Sequence, residues 1–408
     1  MWWYLYQVGR LLGAPFYLLA HLNAKRRPLL RARFSPPKIS AVRVIWIHTL
    51  SVGEVNASLS LLKALKEEFP AYFLVFTVAT SSGYDLACQK ARGLADLIWP
   101  GPLDLPLLAS KYISHFHPEA FILVETDLWP GILWELKKSR VPILWANAAL
   151  SSRACNRLQK IKPLSELLLG PFDFIAAATK GDAERLQKLL PSKEISYFGN
   201  LKFEIPPPSE KEVKRLSQEI SPFLKRPLLV CGSTHPGEEE MILKAFKDKK
   251  VGLLLCPRDP SRALELLELA KKMGLKASLR SKPHTCEVMV VDTLGELRSL
   301  YGLGDVAFVG GTLVPVGGHN LLEPLQHGLP VLFGSYLESV SDLAEIILKA
   351  GVGFQVKDPF SLFKAFSQAL KIKKEKSFSG ALKVCQLFEN VSTKYVEILK
   401  KMLNNQFF

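Results

Sequence analysis

Several common signatures are missing from this sequence, and each absence argues against a class of protein. The six cysteines are scattered without a CxxC pair, which favours free buried thiols in a reducing compartment. A zinc knuckle, a helix-turn-helix signal and an RNP-type aromatic motif are also missing, so nucleic acid is not an expected partner. Neither GxGxxG nor GxxxxGKS/T occurs, and the sequence therefore disfavours a dehydrogenase and a P-loop kinase.

The composition is that of an ordinary globular protein with an excess of positive charge. The 408 residues are 48% hydrophobic and 22% charged, which suits two or three packed domains. There are 53 Lys and Arg against 38 Asp and Glu, a formal charge of +15. Such an excess attracts an anionic partner, and an acidic membrane leaflet or an acidic substrate remains once nucleic acid is disfavoured.

Residues 1–35 are predicted to attach the chain to a membrane. The first 24 residues are apolar and aromatic with Arg10 as their only basic or acidic side chain apart from His21, and a cluster of Lys and Arg follows. A spanning helix needs about 20 apolar residues, so a spanning helix and an interfacial helix are both open, with a buried core helix as the alternative. The basic flank would keep the following domain in the cytoplasm.

Buried apolar runs alternate with amphipathic helical stretches twice along the chain. This pattern is typical of a parallel sheet covered on both faces, so it predicts an α/β protein with two doubly wound domains. We expect the domains at 36–205 and 226–385, a proline-rich linker at 206–225 and a basic C-terminal helix at 386–408. Two such domains suit a cleft that joins two substrates. The predicted strands are 42–47, 72–79, 120–124, 141–147, 174–178, 227–231, 252–256, 287–291, 306–310 and 330–333.

The first segment with candidate chemistry, 48–56, follows a predicted strand and opens a helix. Gly53 is expected to allow a tight turn and a close approach of the backbone. Glu54 is expected at the helix N-terminus, where free N–H groups stabilise a carboxylate. The alternative is a capping box, in which Ser51 and Glu54 only satisfy the helix end.

Two carboxylates, those of Glu125 and Asp127, follow another predicted strand of the first domain. Paired acids suit general-base work, because burial or a neighbouring charge raises the pKa of one of them. The alternative is a helix N-cap by Asp127 with Pro130 in the first turn. Both interpretations can hold together.

The second domain opens with a strand followed by Ser233 and Thr234. Either hydroxyl is expected to cap the next helix, whose N-terminus would then bind an anion. Arg258 follows the next strand and can pair with a phosphate or a carboxylate. A surface ion pair is the commoner role of a lone arginine in a loop.

A glycine-rich segment, 308–324, carries the strongest signal in the chain. Its order is strand, glycine pair, loop, the pair Gly317 and Gly318, and helix. Glycines let backbone N–H groups approach a phosphate, and Glu323 in the helix can accept hydrogen bonds from ribose hydroxyls. The segment therefore predicts a nucleotide-sugar site.

At these motifs the chain resembles the family of 3-deoxy-D-manno-octulosonic acid (Kdo) transferases of lipopolysaccharide synthesis. The resemblance covers almost the whole chain and implies the GT-B fold, with the acceptor lipid on the N-terminal domain and CMP-Kdo on the C-terminal one. The segments that carry it are 48–54, 125–130, 199–203, 233–239, 257–258, 295–297 and 310–324.

The resemblance implies an inverting transfer of Kdo from CMP-Kdo to a lipid A precursor, at the cytoplasmic face of the cell inner membrane and without a metal or cofactor. It makes Glu54 the general base and Glu125 a supporting residue. The residues implied for the donor are Arg258, Gly295, Glu296, Gly317, Gly318, Asn320 and Glu323. Those expected at the acceptor or the cleft are Ser51, Gly53, Asp127, Ser151, Arg153 and Lys202.

Three departures from the family pattern leave Glu54 untouched. Asp259 replaces a histidine after the Pro-Arg pair, Ala149 replaces an arginine, and the segment 335–339 lacks the usual His and Asn. Two alternatives stay open. One is a GT-B transferase that uses a UDP-sugar on another membrane lipid, and the other is a non-catalytic, membrane-bound lipid-binding protein.

Overall fold

The computed structural model describes residues 6, 8–9, 27–41, 43–105, 107–204 and 209–404. The chain divides into two compact units, Met1–Ile205 with Asn390–Phe408, and Pro206–Glu389. Each unit contains one seven-stranded sheet in which all strand pairs are parallel. The prediction of two doubly wound α/β domains is confirmed.

Most of the predicted membrane anchor, residues 1–5, 7 and 10–26, lies outside the described residues. Helix α1 (Arg27–Phe34) lies in the described last part of the predicted segment 1–35. Within the described parts of the chain, no helix combines the length and the apolar character that crossing a bilayer requires.

The sheet of the first unit has the strand order β3-β2-β1-β4-β5-β6-β7. Its strands are β1 (Val44–Thr49), β2 (Phe73–Val78), β3 (Leu97–Pro100), β4 (Ala120–Val124), β5 (Ile143–Ala148), β6 (Phe174–Ala177) and β7 (Ile195–Tyr197). The helices between them are α2 (Val52–Glu68), α3 (Ser81–Lys90), α4 (Leu108–Phe116), α5 (Pro130–Lys138), α6 (Ser152–Lys160), α7 (Lys162–Leu169) and α8 (Lys180–Leu189).

The sheet of the second unit has the order β10-β11-β9-β8-β12-β13-β14. Its strands are β8 (Leu228–Thr234), β9 (Gly252–Pro257), β10 (Ala277–Leu279), β11 (Val288–Val290), β12 (Val306–Val309), β13 (Val331–Phe333) and β14 (Gly353–Gln355). The helices are α9 (Glu210–Ile220), α10 (Glu238–Phe246), α11 (Ala263–Lys272), α12 (Leu297–Leu300), α13 (Leu322–Leu325), α14 (Ser341–Lys349), α15 (Pro359–Ala369) and α16 (Lys374–Gln386).

The predicted strands are all present, and the structure adds four that the sequence analysis missed. The missed strands are β3, β7, β10 and β14, each three or four residues long and each at an edge of its sheet. A central strand such as β4 is buried along its whole length, and its sequence is therefore an unbroken apolar run. An edge strand pairs on one side only, so its sequence carries a weaker signal.

The C-terminal segment belongs to the first unit. Helix α17 (Val391–Leu403) buries Tyr395, Leu399 and Met402 in the same core cluster as Leu61 of α2. This spacing of three and four residues forms one apolar stripe along the helix. The helix expected as a separate segment at 386–408 thus packs into the core of the first domain. Within the expected linker at 206–225, the structure forms helix α9.

The strand order of each sheet reverses at one point. The reversal lies between β1 and β4 in the first unit and between β8 and β12 in the second. In open parallel sheets a ligand binds beyond the carboxyl ends of the strands at such a point. The four segments singled out around Glu54, Glu125, Glu238 and Gly311 directly follow these four strands.

Candidate active site

Glu54 lies in the first turn of α2, just beyond the carboxyl end of β1, and is only 3% exposed. The Leu50 N–H donates to its Oε2 atom, and the Thr126 hydroxyl donates to Oε1 over 2.7 Å. Burial raises the pKa of the Glu54 carboxyl. The two hydrogen bonds oppose this rise, and the charges of Glu125 and Asp127 add to it.

The structure contradicts the alternative interpretation of Ser51 as part of a capping box and the tight turn expected at Gly53. Ser51 is the N-cap of α2 but its side chain makes no capping hydrogen bond, and Glu54 accepts from Leu50 rather than from Ser51. The capping box is therefore absent. Gly53 lies inside the helix, where a Cβ atom would meet only the Ser51 hydroxyl at 3.9 Å, so neither a tight turn nor a close approach requires glycine there.

His48, at the end of β1, holds Asp127 through a buried hydrogen-bond chain. Its Nε2 atom lies 2.8 Å from Asp127 Oδ2, and its Nδ1 atom lies 2.7 Å from the Thr77 hydroxyl. The Trp129 indole N–H donates to the other oxygen of Asp127 over 2.6 Å. Asp127 is thus not the predicted N-cap of α5. That position is Trp129, whose side chain makes no capping bond, and Pro130 is in the first turn as expected.

Glu125 is held by a second network around β5. The Lys202 ammonium donates to its Oε2 atom over 2.8 Å, and the Asn147 amide donates to Oε1 over 3.1 Å. The same Asn147 side chain donates to Asn200 and accepts from the Leu201 N–H. Glu125 and Asn147 both have positive φ values, 65° and 52°, which non-glycine residues adopt mainly where surrounding contacts hold them.

Helix α17 completes this network, and the sequence analysis had no signal for it. The Asn147 backbone N–H donates to the buried Tyr395 hydroxyl over 2.9 Å. At the start of α17, the Ser392 N–H and hydroxyl both donate to the Glu204 carboxylate. The segment that carries Lys202 is therefore held between β5 and the C-terminal helix.

Ser151 and Arg153 lie apart from these networks. The Ser151 hydroxyl caps α6 by accepting from the Ala154 N–H over 3.2 Å. Arg153 is exposed on α6, and among the described residues it forms no ion pair with the acids around Glu54.

In the second unit, the glycine-rich segment is held by a residue to which sequence analysis assigned no role. Glu238, the first residue of α10, is fully buried. Its carboxylate accepts hydrogen bonds from the N–H groups of His235, Gly311, Thr312 and Leu313. The expectation that the first glycine pair offers its N–H groups to a phosphate is therefore wrong for Gly311 and the two residues after it. Neither Ser233 nor Thr234 caps α10, whose N-cap is Gly237.

Two histidines meet between this segment and β8. The Nε2 atoms of His235 and His319 are 2.7 Å apart, and the rings are stacked with an angle of 4°. One ring donates and the other accepts. Burial lowers the pKa of His319 to about 4, with further contributions from His235 and Arg258, so His319 is neutral at physiological pH.

Arg258 interacts electrostatically with both His319 and Glu323. Among the described residues Arg258 forms no ion pair, and its side chain is exposed. Burial raises the pKa of Glu323 to about 7, against the opposing charges of Arg298 and Arg258. The charge of Arg258 therefore acts on both His319 and Glu323.

The remaining predicted donor residues are more involved in internal contacts. Glu296 pairs with Arg215 and Arg280, each at 3.3 Å, and accepts from the Thr293 hydroxyl. Asn320 accepts from the Leu322 N–H over 2.9 Å, at the start of α13. Gly295 is exposed in the loop before α12, with no atom near the position of a Cβ.

Two of the three departures from the family pattern, Asp259 and the segment 335–339, have structural roles. Asp259 accepts from the Ser261 N–H over 3.0 Å and so caps a short 3-10 turn. The segment 335–339 packs on the glycine-rich segment, since the Tyr336 N–H donates to Thr312 and the Ser339 N–H donates to Gly317. Gly317 and Gly318 have φ values of 103° and 88°, which favour glycine at both positions.

No group of three or more His, Cys, Asp or Glu side chains arranged to hold a metal ion occurs in the parts of the chain that the structure describes. Acid and base groups surround Glu54 in the first unit. In the second unit, Glu323 and His319 lie near Arg258.

Comparison with known proteins identifies the family. The family model described as 3-deoxy-D-manno-octulosonic-acid transferase matches residues 26–205. The 3-deoxy-D-manno-octulosonic acid transferase of Aquifex aeolicus is 34% identical over 364 residues, covering 88% of this chain and 93% of that protein. The enzyme of the same name from Haemophilus influenzae is 32% identical, covering 81% of this chain and 80% of that protein.

A likeness to solved structures agrees on the fold. UDP-GlcNAc 2-epimerase from Neisseria meningitidis bound to UDP-GlcNAc matches with a TM-score of 0.61 and 14% identity, over 88% of this chain and 100% of that one. At this identity the likeness concerns the fold alone, and it is consistent with the expected GT-B type. On the sequence identity to its relatives, the chain belongs to the 3-deoxy-D-manno-octulosonic acid transferase family and is a glycosyltransferase.

Proposed function

We propose that this enzyme transfers Kdo from CMP-Kdo to a hydroxyl group of a lipid A precursor, with Glu54 as the general base. The acceptor oxygen bonds to the anomeric carbon of Kdo, and the bond between that carbon and the phosphate oxygen of CMP breaks. The hydroxyl proton passes to Glu54. The observation that carries the proposal is the buried Glu54 carboxylate at the strand-order reversal of the first sheet.

Glu54 is better suited to take a proton than either neighbouring acid. Glu125 is paired with Lys202, and Asp127 is paired with His48. Among the described residues Glu54 has no basic partner, and burial raises its pKa. A carboxylate oxygen has two lone pairs, so each Glu54 oxygen keeps one after accepting from Leu50 or Thr126.

The donor assignment is supported by the free ionisable groups of the second unit. Arg258 is exposed and forms no ion pair among the described residues, as expected of a group that meets an anionic ligand. Glu323 has no hydrogen-bond partner among them either, which leaves its carboxyl group able to bind ribose hydroxyls. Arg258 directly follows β9, and Glu323 lies in α13, between β12 and β13.

An anionic membrane is supported as a partner by helix α6. Arg153, Arg157 and Lys160 are exposed on this helix, and only Cys155 and Leu158 are buried. No acidic residue occurs from position 151 to 165. Such a face attracts anionic lipid headgroups, which agrees with the net charge of +15 and with a location at the cytoplasmic face of the inner membrane.

The variant Glu54→Gln tests the general base. Transfer from CMP-Kdo to a tetraacylated lipid A precursor is followed by mass spectrometry of the product. General-base catalysis contributes roughly 10²–10⁴-fold in rate, so we expect kcat to fall by about that factor while CMP binding is unchanged. The matched control is Glu67→Gln, an exposed acid on the same helix. Near-normal turnover by the Glu54 variant would contradict the assignment.

A separate experiment distinguishes CMP-Kdo from a UDP-sugar donor. A ligand present at 100 times its dissociation constant stabilises the folded state by about 2.7 kcal/mol. We expect CMP or CMP-Kdo, and not UDP or a UDP-sugar, to raise the unfolding temperature of the second unit. Stabilisation by the uridine nucleotides alone would favour a UDP-sugar transferase of the same fold.

A further inference from the structure

The Glu238 carboxylate is surrounded by four backbone N–H groups that converge on it. Its Oε2 atom accepts from Gly311 at 2.8 Å and from His235 at 2.9 Å. Its Oε1 atom accepts from Leu313 at 2.9 Å and from Thr312 at 3.0 Å. The side chain is fully buried, so no solvent competes for these bonds.

Successive backbone N–H groups that point to one centre form an anion-binding concavity, of the kind that elsewhere holds a phosphate. Here the anion is supplied by the chain itself, from the start of α10. Hydrogen bonds to a charged acceptor are among the strongest in proteins. Four of them on one carboxylate therefore fix the shape of the segment from Gly311 to Leu313.

We propose that Glu238 is a positioning residue that acts as an internal anion, holding the glycine-rich segment in the form that binds the sugar-nucleotide donor. A small free carboxylate can take its place when the side chain is removed. The role of Glu238 in donor binding rests on the proposed function. Its role in fixing the N–H groups of the glycine-rich segment does not depend on which nucleotide binds.

Hydrogen bonds connect the segment bound by Glu238 to the candidate donor residues. The Gly318 N–H donates to Gly311 over 2.8 Å, so fixing Gly311 also fixes the second glycine pair, next to His319 and Asn320. The bond from the His235 N–H ties β8 to the same carboxylate, and this keeps His235 against His319. Loss of Glu238 is expected to release both sides of the histidine pair.

The backbone on both sides of the glycine-rich segment is closely packed. A Cβ on Gly310 would lie 2.3 Å from the Ser233 carbonyl oxygen, and one on Gly334 would lie 2.0 Å from the Thr312 carbonyl oxygen. The backbone on both sides is in close contact. A larger residue at Gly310 or Gly334 would therefore displace the backbone that carries the N–H donors to Glu238.

Hydrogen exchange on the full-length protein tests the hold without any donor. In Glu238→Ala and in Glu238→Gln, we expect exchange in peptides spanning 309–315 to be roughly tenfold faster or more, because the anion is lost. The matched control is Glu240→Gln, an exposed acid on α10 that pairs only with Lys244 among the described residues. Glutamine keeps the shape of the side chain, so this variant tests the charge if the alanine variant does not fold. An unchanged exchange rate at 309–315 in the folded variants would refute the proposal that Glu238 fixes these N–H groups.

Formate tests whether the site accepts a free carboxylate. In Glu238→Ala, sodium formate is expected to slow exchange at 309–315 toward the wild-type rate, while sodium chloride at equal ionic strength does not. The wild type is expected to show no effect of formate. Faster exchange in the variant that formate fails to slow overturns the internal-anion role.

CMP binding, measured by calorimetry, tests the consequence for the donor site. We expect Glu238→Ala to bind CMP roughly tenfold more weakly or worse, and formate to recover most of this loss. Normal CMP binding in a variant with fast exchange overturns the positioning role. If the wild type itself binds no CMP, the proposed donor is wrong, and the exchange and formate results still decide the hold.

Discussion

Glu323 provides a pH-dependent test of the second domain. Burial raises the pKa of this carboxyl group from 4.5 to about 7. The folded state therefore prefers the protonated form. The stability that this preference contributes is fully present below the unfolded pKa of 4.5, and it is lost as the pH rises through about 7. The variant Glu323→Gln removes this dependence, because glutamine stays neutral at every pH.

The magnitude follows from the size of the pKa change. One pKa unit corresponds to 1.36 kcal/mol, so the rise from 4.5 to about 7 corresponds to about 3 kcal/mol over the full titration. Between pH 5.5 and 8.5 we expect a change of about 2 kcal/mol, because part of the effect is already lost at pH 5.5. The stability of Glu323→Gln relative to the wild type should therefore increase by this amount across that range.

Urea unfolding at pH 5.5, 7.0 and 8.5 measures this difference. All seven tryptophans precede position 146, so tryptophan fluorescence follows the first unit and circular dichroism is needed for the second. Glu268→Gln, an exposed acid on α11, is the matched control and should show no such trend. A stability difference that is constant with pH, or that shrinks as the pH rises, would refute a protonated Glu323 in the folded state.

Two further substitutions test the packing around the two sites. Tyr395→Phe leaves the Asn147 N–H buried without its partner, so we expect the first unit to lose about 1–3 kcal/mol of unfolding free energy and transfer activity to fall. Tyr336→Phe, on a half-exposed ring, is its control, and an unchanged urea midpoint in Tyr395→Phe would show that α17 does not support Asn147. Gly334→Ala places a Cβ 2.0 Å from the Thr312 carbonyl oxygen, and overpacking of this kind costs about 1–3 kcal/mol or more. Gly53→Ala, whose Cβ would make only an ordinary contact with the Ser51 hydroxyl at 3.9 Å, should fold normally, and equal thermal stability of these two alanine variants would contradict the close contact at Gly334.

The central part of each sheet was readable from the sequence for a physical reason. Strands such as β4 are buried on both faces, so almost every side chain in them is apolar. Their alternation with amphipathic helices predicts parallel order, and parallel order gathers the polar segments at one edge of the sheet. The positions of Glu54 and Glu125 after β1 and β4 were predictable on this basis.

Local capping patterns were the least reliable signals. Ser51 with Glu54, Asp127 with Pro130, and Thr234 before α10 each match a helix-start pattern. None of these side chains makes the expected capping bond. For Asp127 a partner from elsewhere in the fold, His48, binds the side chain instead. A pattern of three or four residues contains no information on such a competitor.

The fold class, the positions of the central strands along the chain and the family could be predicted from the sequence, because they depend on periodic burial and on motifs contiguous in the chain. Which hydrogen-bond donors meet which acceptors became visible only in the folded structure. Tyr395 is 248 residues from Asn147, and Glu238 is 73 to 75 residues from three of the four N–H groups that donate to it. Such pairs form because two strands end at the same edge of a sheet or because a helix packs beneath it. Residues so far apart in the sequence give no local pattern from which their contact could be predicted.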